Sequence, residues 1–290
     1  MHDYVLFSTA GVPVGGLGSR FRPIPVQSSS GIPDSIRTVV KTLPFNDLEL
    51  VERAFKDDGA RIAAVIVEPI LGNAFGIMPH DGFLAGVRRL CDESGALLIF
   101  DEVKTGFRIA LGGANEIFGV TPDIGTYAKA MGNGYPVAAI AMTDSVAAGW
   151  RSSGIAQAGT YSGNGIGVAA AAATIDRLAT GEPYARIEKV GRALMEGVER
   201  ILADRGVPGR AVGHPAMFSF FLGEGELNDF RDTARHNDEL YDATLFGMIR
   251  RGVMPCPDAL EPWFTCAAHT DEDVATTLQV FDESLVEVLG

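Results

Sequence analysis

Apolar positions along this chain follow two periods that alternate from segment to segment. NDLELVERAF predicts a helix with its N-cap at Asn46 and with Leu48, Val51 and Phe55 on one face. RIAAVIVEP then runs apolar without a break, the pattern of a short strand buried on both faces. DGFLAGVRRLCDESG returns to helical spacing through Phe83, Val87 and Leu90, and Gly95 is placed to close that helix. ALLIFDEV reads as a second buried strand, followed by PDIGTYAKA and PVAAIAM. Apolar strands alternating with helices predict an α/β fold with a mainly parallel sheet.

Past residue 160 the pattern changes. The Ala-rich run GIGVAAAAATIDRLA leads into a long helix with Ile187, Val190, Leu194, Val198 and Ile201 on its apolar face. AMFSFFL and PWFTCAA read as strands. A closing helix starts at Thr270, with Asp273 in capping-box position and Val274, Leu278, Phe281 and Leu285 along its face. The division this predicts is a large domain over residues 1–184 and a smaller α+β domain over residues 185–290. Residues 8–35 are rich in Gly, Pro and Ser and show no periodicity. They read equally as a functional loop or as a disordered linker.

Composition narrows the function classes. A formal net charge of −13 over 290 residues, with no basic stripe, argues against a nucleic-acid partner. No apolar run reaches the ~20 residues of a membrane helix, and Met1-His2-Asp3-Tyr4 lacks the basic start of a signal peptide. Three cysteines without CxxC spacing and five scattered histidines offer neither a disulfide framework nor a metal-ligand pattern. The expectation is a soluble cytoplasmic protein.

Candidate chemistry gathers at the predicted strand ends, where open parallel sheets place their ligands. Glu68 follows the first strand, Asp101 and Glu102 end the second, and Lys129 follows the third segment. Any one of these acids taken alone reads as a structural ion pair or a solvated loop charge. Acid, acid and lysine in consecutive units read as a site. Among the five lysines, Lys56 and Lys189 fall on polar helix faces and Lys41 has no evident partner. Lys104 competes as a site residue but is too close in the chain to face Asp101 across a flat ring. Lys129 has uncharged neighbours and a Gly-Asn-Gly turn behind it, a setting that lowers the proton affinity of an amine and makes it a nucleophile. Pyridoxal phosphate asks for such a set: a lysine for its aldehyde, an aspartate for its pyridine nitrogen, and hydroxyl and backbone donors for its phosphate.

Four motifs then occur in order: VIVEPILGN (Val65 to Asn73), LLIFDEVKTGFRIALGGANEIFGVTPD (Leu97 to Asp123), TYAKAMGNGYP (Thr126 to Pro136) and GTYSGN (Gly159 to Asn164). Together they resemble the class III pyridoxal-phosphate-dependent aminotransferases of fold type I, on the branch that holds glutamate-1-semialdehyde 2,1-aminomutase. The resemblance implies a mainly parallel sheet with helices on both faces, plus a small C-terminal domain. It implies that Asp101 pairs with the pyridine nitrogen and that Val103 packs on one face of the ring. Lys129 would form the internal aldimine and shuttle the proton between substrate and cofactor. Thr160 would bind the phosphate of the cofactor in a neighbouring subunit, because the family works as a homodimer with shared sites. Glu68 would be an active-site carboxylate near the cofactor, with Asn73 beside it.

Two departures from the family pattern bear on function. Class III chains usually begin well over a hundred residues earlier, with a Gly-Ser phosphate loop and a ring-stacking aromatic just ahead of a WHD-like segment. His2-Asp3 reads as the remnant of that segment, so the chain is expected to be N-terminally truncated. The C-terminal stretch PDALEPWFTCAAHTDED carries no arginine to clamp a substrate carboxylate, and Glu261 stands there instead. On the aminomutase branch, residues 8–35 would match a mobile lid. The leading reading is a transaminase moving an amino group between a small-molecule amino donor and a carbonyl acceptor. An aminomutase and a truncated non-catalytic paralogue are the alternatives.

Overall fold

A computed structural model describes residues 3–8 and 11–290; His2 of the expected WHD-like remnant lies outside the described residues. The segment at 11–35 is neither a bare loop nor a linker. It contains a small antiparallel hairpin, β1 (Gly18–Ser19) with β2 (Arg22–Pro23). It also buries Val12, Leu17 and Ile32. Arg20 fastens it from the side, its Nε 3.0 Å from Asp47 and its Nη1 3.2 Å from the buried Asp229. Arg231 adds a hydrogen bond to the Leu17 carbonyl at 3.0 Å.

Helix α1 (Leu48–Asp58) buries Leu50, Val51, Ala54 and Phe55. Its N-cap is Asp47, whose carboxylate accepts from the Leu50 amide at 3.1 Å. The cap expected at Asn46 is thus one residue off. Asn46 sits in the left-handed region at φ 62. Its side-chain amide donates to the Met78 and Asn228 carbonyls and accepts from the His80 amide. Asn tolerates that backbone better than most residues, and its two-sided amide can join three separate segments.

The central sheet runs β3 (Ala64–Val67), β4 (Leu97–Asp101), β5 (Ile124–Tyr127) and β6 (Ala139–Met142), in that spatial order. The first three strands are parallel, and β6 returns antiparallel. Helix α2 (Phe83–Ser94) connects β3 to β4 and packs on β4, with Gly95 in the left-handed C-cap conformation. The short α3 (Gly113–Phe118) precedes β5. Strand β3 is not buried on both faces: Val65 and Val67 join the core, while Ile66 on the other face is 49% exposed. It is one of the two edge strands of this sheet, β6 being the other.

After β6 come α4 (Asp144–Ser153), α5 (Gly165–Leu178) and the 23-residue α6 (Glu182–Asp204). A second, antiparallel sheet is built from β7 (Arg210–His214), β8 (Met217–Phe221) and, after α7 (Asp238–Arg250), β9 (Trp263–Phe264). Helix α8 (Asp271–Leu289) closes the chain with the Thr270–Asp273 capping box in place. Every residue of β8 is buried. Its aromatic side chains share one continuous core with α2, β4, α6 and α8. Gly191 of α6 lies against the Pro215 backbone of the β7–β8 turn, so close that a Cβ would overlap it. Among the described residues no helix is long and apolar enough to cross a membrane.

Candidate active site

Register places the site. In the parallel ladder Val67 pairs with Phe100, and Asp101 with Thr126. The carboxyl ends of β3, β4 and β5 therefore share one edge of the sheet, and Glu68, Asp101 and Lys129 follow from those ends.

Asp101 is held from one side only. Its Oδ1 accepts from the Val103 amide at 3.0 Å and from the Thr126 hydroxyl at 3.1 Å. Its Oδ2 takes no hydrogen bond from any described residue. The carboxylate is oriented by the protein and has one oxygen left for something else.

Lys129 opens a single 3₁₀ turn, Lys129–Gly132, capped by Asn133 in the left-handed region. Its own φ is +45, a conformation that costs a non-glycine residue about 1 kcal/mol or more. Residues held in this way cluster at functional sites because the surrounding structure over-determines them. Lys129 is exposed, and its amine makes neither a hydrogen bond nor an ion pair with a described residue. It is thus less enclosed than its uncharged neighbours in sequence imply. Its proton affinity is still below that of an ordinary lysine, first through partial burial and next through the positive charge of Lys104. The charges of Glu261, Glu68 and Asp101 oppose that shift.

Glu68 bends back so that its Oε2 accepts from the Gly72 amide at 3.0 Å. Burial holds its carboxyl above the usual carboxylate range. The Gly72 amide pulls it back, and the charge of Asp101 adds to the rise. Asn73, one residue beyond, hydrogen-bonds to Glu261 through its amide nitrogen. The structure thus joins Glu68, Asn73, Asp101, Val103 and Lys129 around one sheet edge. Thr160 stands apart, on an exposed turn ahead of α5, and makes no hydrogen bond to a described residue.

Sequence reasoning weighed Lys104 only against Asp101 and ranked it below Lys129, although it is the most enclosed lysine of the chain. Lys104 is 7% exposed, whereas the other four lysines are exposed. Its Nζ lies 2.7 Å from Glu261 Oε1 and 3.0 Å from Asn73 Oδ1. Nearness to Asp101 in the chain hid it, because its partner comes from 157 residues away. A detectable signal was present all the same, a lysine inside the otherwise uncharged run VKTGF. Glu102, next to Asp101, turns inward. It is fully buried, and its Oε2 accepts from Thr105 Oγ1 at 2.9 Å and from the Ala114 amide at 2.8 Å. That makes it a structural acid under the α3 turn.

Residues 25–271 match the family described as Aminotransferase class-III. Among solved structures, the chain is similar to an omega-transaminase from Sphaerobacter thermophilus, at 26% identity and a TM-score of 0.92, over 100% of this chain and 66% of that one. It is similar to the FumI protein of Sphingopyxis sp. MTA144 in its PLP internal aldimine form, at 27% identity and a TM-score of 0.81, over 92% of this chain and 62% of that one. A glutamate-1-semialdehyde-aminomutase from Pseudomonas aeruginosa PAO1 shares the fold at 24% identity and a TM-score of 0.83, over 99% of this chain and 63% of that one. The chain therefore spans at most about two thirds of the length of these structures.

Proposed function

As the chain belongs to the class III aminotransferase family, we propose that it serves a pyridoxal-phosphate-dependent transamination between a small amino donor and a carbonyl acceptor. One observation carries this reading. An amine and an oriented carboxylate oxygen, both without partners among the described residues, stand at the ends of adjacent parallel strands. Those are the two groups the cofactor requires, so the residues present fit it. The intramolecular alternative, an aminomutase, has no comparable observation of its own in this structure.

When bound, pyridoxal phosphate supplies an electrophilic aldehyde carbon and a ring that accepts electron density. The chain's own residues do the rest. Asp101 Oδ2 would hold the ring nitrogen, its carboxylate aimed by Val103 and Thr126. Val103 would pack against one face of the ring. Lys129 would hold the cofactor through its amine and, once released, accept and return a proton at Nζ. Its lowered proton affinity suits that task, because a base works best when its own proton affinity lies near the operating pH. Glu68 and Asn73 would line the same edge. Thr160 would reach the phosphate held by a second copy of the chain in a homodimer. Within this reading, residues 1–184 form the cofactor-binding domain and residues 185–290 the small domain.

Titration of the purified protein with pyridoxal phosphate tests the proposal. The expected result is a saturable visible absorbance band that is absent in Lys129→Ala and survives dialysis in the wild type. A flat spectrum at saturating cofactor refutes it. Amino transfer that requires an added acceptor supports transamination over the intramolecular reaction, which turns over a single substrate.

A further inference from the structure

A chain with a net charge of −13 has little reason to gather arginines, yet two of them line one cavity. The cavity holds about 550 Å³ and lies where three elements meet: the C-terminal end of α5, the first turns of α6 and the turn ahead of α8. Arg177 comes from α5 and Arg186 from α6, while Ala267, Ala268, His269 and Thr270 form the turn. The site described above shares nothing with it: Glu68, Asn73, Asp101, Val103 and Lys129 are not among its walls.

Both guanidinium groups are aimed by the protein and only partly used. Arg177 Nη1 donates to Glu182 Oε2 at 2.8 Å and to Thr180 Oγ1 at 3.4 Å. Arg186 Nε donates to the His269 carbonyl at 3.0 Å, and its Nη1 lies 3.4 Å from Asp271. The Nη2 group of each arginine, and Nε of Arg177, make no hydrogen bond with a described residue. The nearby acids do not cancel these charges. Asp271 is shared with Lys189 at 2.7 Å, so three cations stand against Glu182 and Asp271. Helix α6 adds the positive end of its dipole, and its N-cap Gly181 has no side chain to answer the first amides.

The remaining walls are small and apolar: Pro183, Ala185, Ala267 and Ala268. An inorganic anion would leave most of such a cavity in contact with water. An organic acid would set its carboxylate on the planar forks of the arginines and its carbon skeleton against the alanines and the proline. We propose that this cavity is a binding site for a small organic acid whose carboxylate pairs with Arg177 and Arg186. The proposal goes beyond the transaminase reading and depends neither on the cofactor nor on Lys129. An acid held there ties the end of α5 to the starts of α6 and α8.

Equilibrium dialysis of the full chain against radiolabelled benzoate, in a buffer free of carboxylate and phosphate, measures binding directly. Benzoate is expected to bind saturably, and benzamide, its uncharged counterpart, is expected not to compete. Phenylglyoxal labelling of the wild type, read by peptide mass spectrometry, locates the site. Benzoate is expected to slow the reaction of Arg177 and Arg186 and to leave the exposed Arg53 and Arg61 unchanged. The double variant Arg177→Gln with Arg186→Gln is expected to bind at least about ten-fold more weakly, through loss of both charge-assisted contacts. Arg250→Gln, on α7, is expected to keep the wild-type affinity. Lys129→Ala is expected to keep it as well, so a failed cofactor titration leaves this site standing. Absence of saturable binding, or benzoate that fails to protect the two arginines, overturns the proposal. Inorganic phosphate that displaces benzoate at equal or lower concentration overturns the assignment to an organic acid.

Discussion

Two buried groups away from the reactive edge set measurable properties of single residues. Glu102 supplies an acceptor to Thr105 and Ala114 inside the core while its Oε1 has no partner among the described residues. Glu102→Ala strands those donors and is expected to destabilise the protein by about 1–3 kcal/mol, read as a lower urea midpoint. His236 is the second case. It is packed among Phe75, Phe221 and Tyr241, and its Nδ1 accepts from the Leu222 amide at 3.0 Å. Burial holds its imidazole down to about 4. A depressed folded value means the unfolded chain binds the proton first. His236 thus contributes stability that is present above its ordinary value of 6.5 and is lost as pH falls through about 4. Glu68, Glu102 and Asp229 are raised by burial and act with the opposite sign, losing stability as pH rises through their folded values. Comparing wild type with His236→Asn across that acid window isolates the imidazole, and the variant is expected to lose less stability on acidification. That Asp101 and Lys129 follow the ends of adjacent strands was legible in the chain, because strand ends and spacing are local facts. The Lys104–Glu261 pair was not, because no local pattern announces a partner 157 residues away.

Elements carry their own expectations. The α8 capping box was readable letter by letter, since Thr270 and Asp273 satisfy each other's backbone within one turn. Thr270→Ala should cost about 1 kcal/mol in a urea melt. The α1 cap was misplaced by one residue because Asn46 and Asp47 are both good capping residues. Only tertiary hydrogen bonds to Met78, His80 and Asn228 decide that Asn46 has other work. Helix α6 meets the β7–β8 turn through Gly191, with the Pro215 backbone where a side chain would go. Backbone cannot yield as a flexible side chain can, so Gly191→Ala is expected to cost about 1–3 kcal/mol through overpacking. An unchanged midpoint would show that the turn can retreat. The exposure of β3 was also hidden from the sequence, because an apolar run looks the same whether one face is covered or two.

At the scale of the whole molecule, a continuous aromatic core is shared by β8, α6 and α8, while the stretch from β6 to α5 leaves Ile140, Ile155, Tyr161, Ile166 and Val168 in solvent, Tyr161 at 82% and Ile166 at 68%. Apolar side chains left uncovered in this way are what an interaction surface would expose. Light scattering is expected to give the mass of a dimer for the wild type and of a monomer for Ile166→Lys; a monomeric wild type would remove the homodimer from the proposed function. The pairing of Lys104 with Glu261 has a further consequence, in time rather than in space. During synthesis at about 5–20 residues per second, Glu261 emerges roughly 8–30 s after Lys104. For that interval the Lys104 ammonium is without the Glu261 carboxylate that it meets in the folded chain. The sheet edge that holds Lys104 is thus made ahead of the segment that neutralises it.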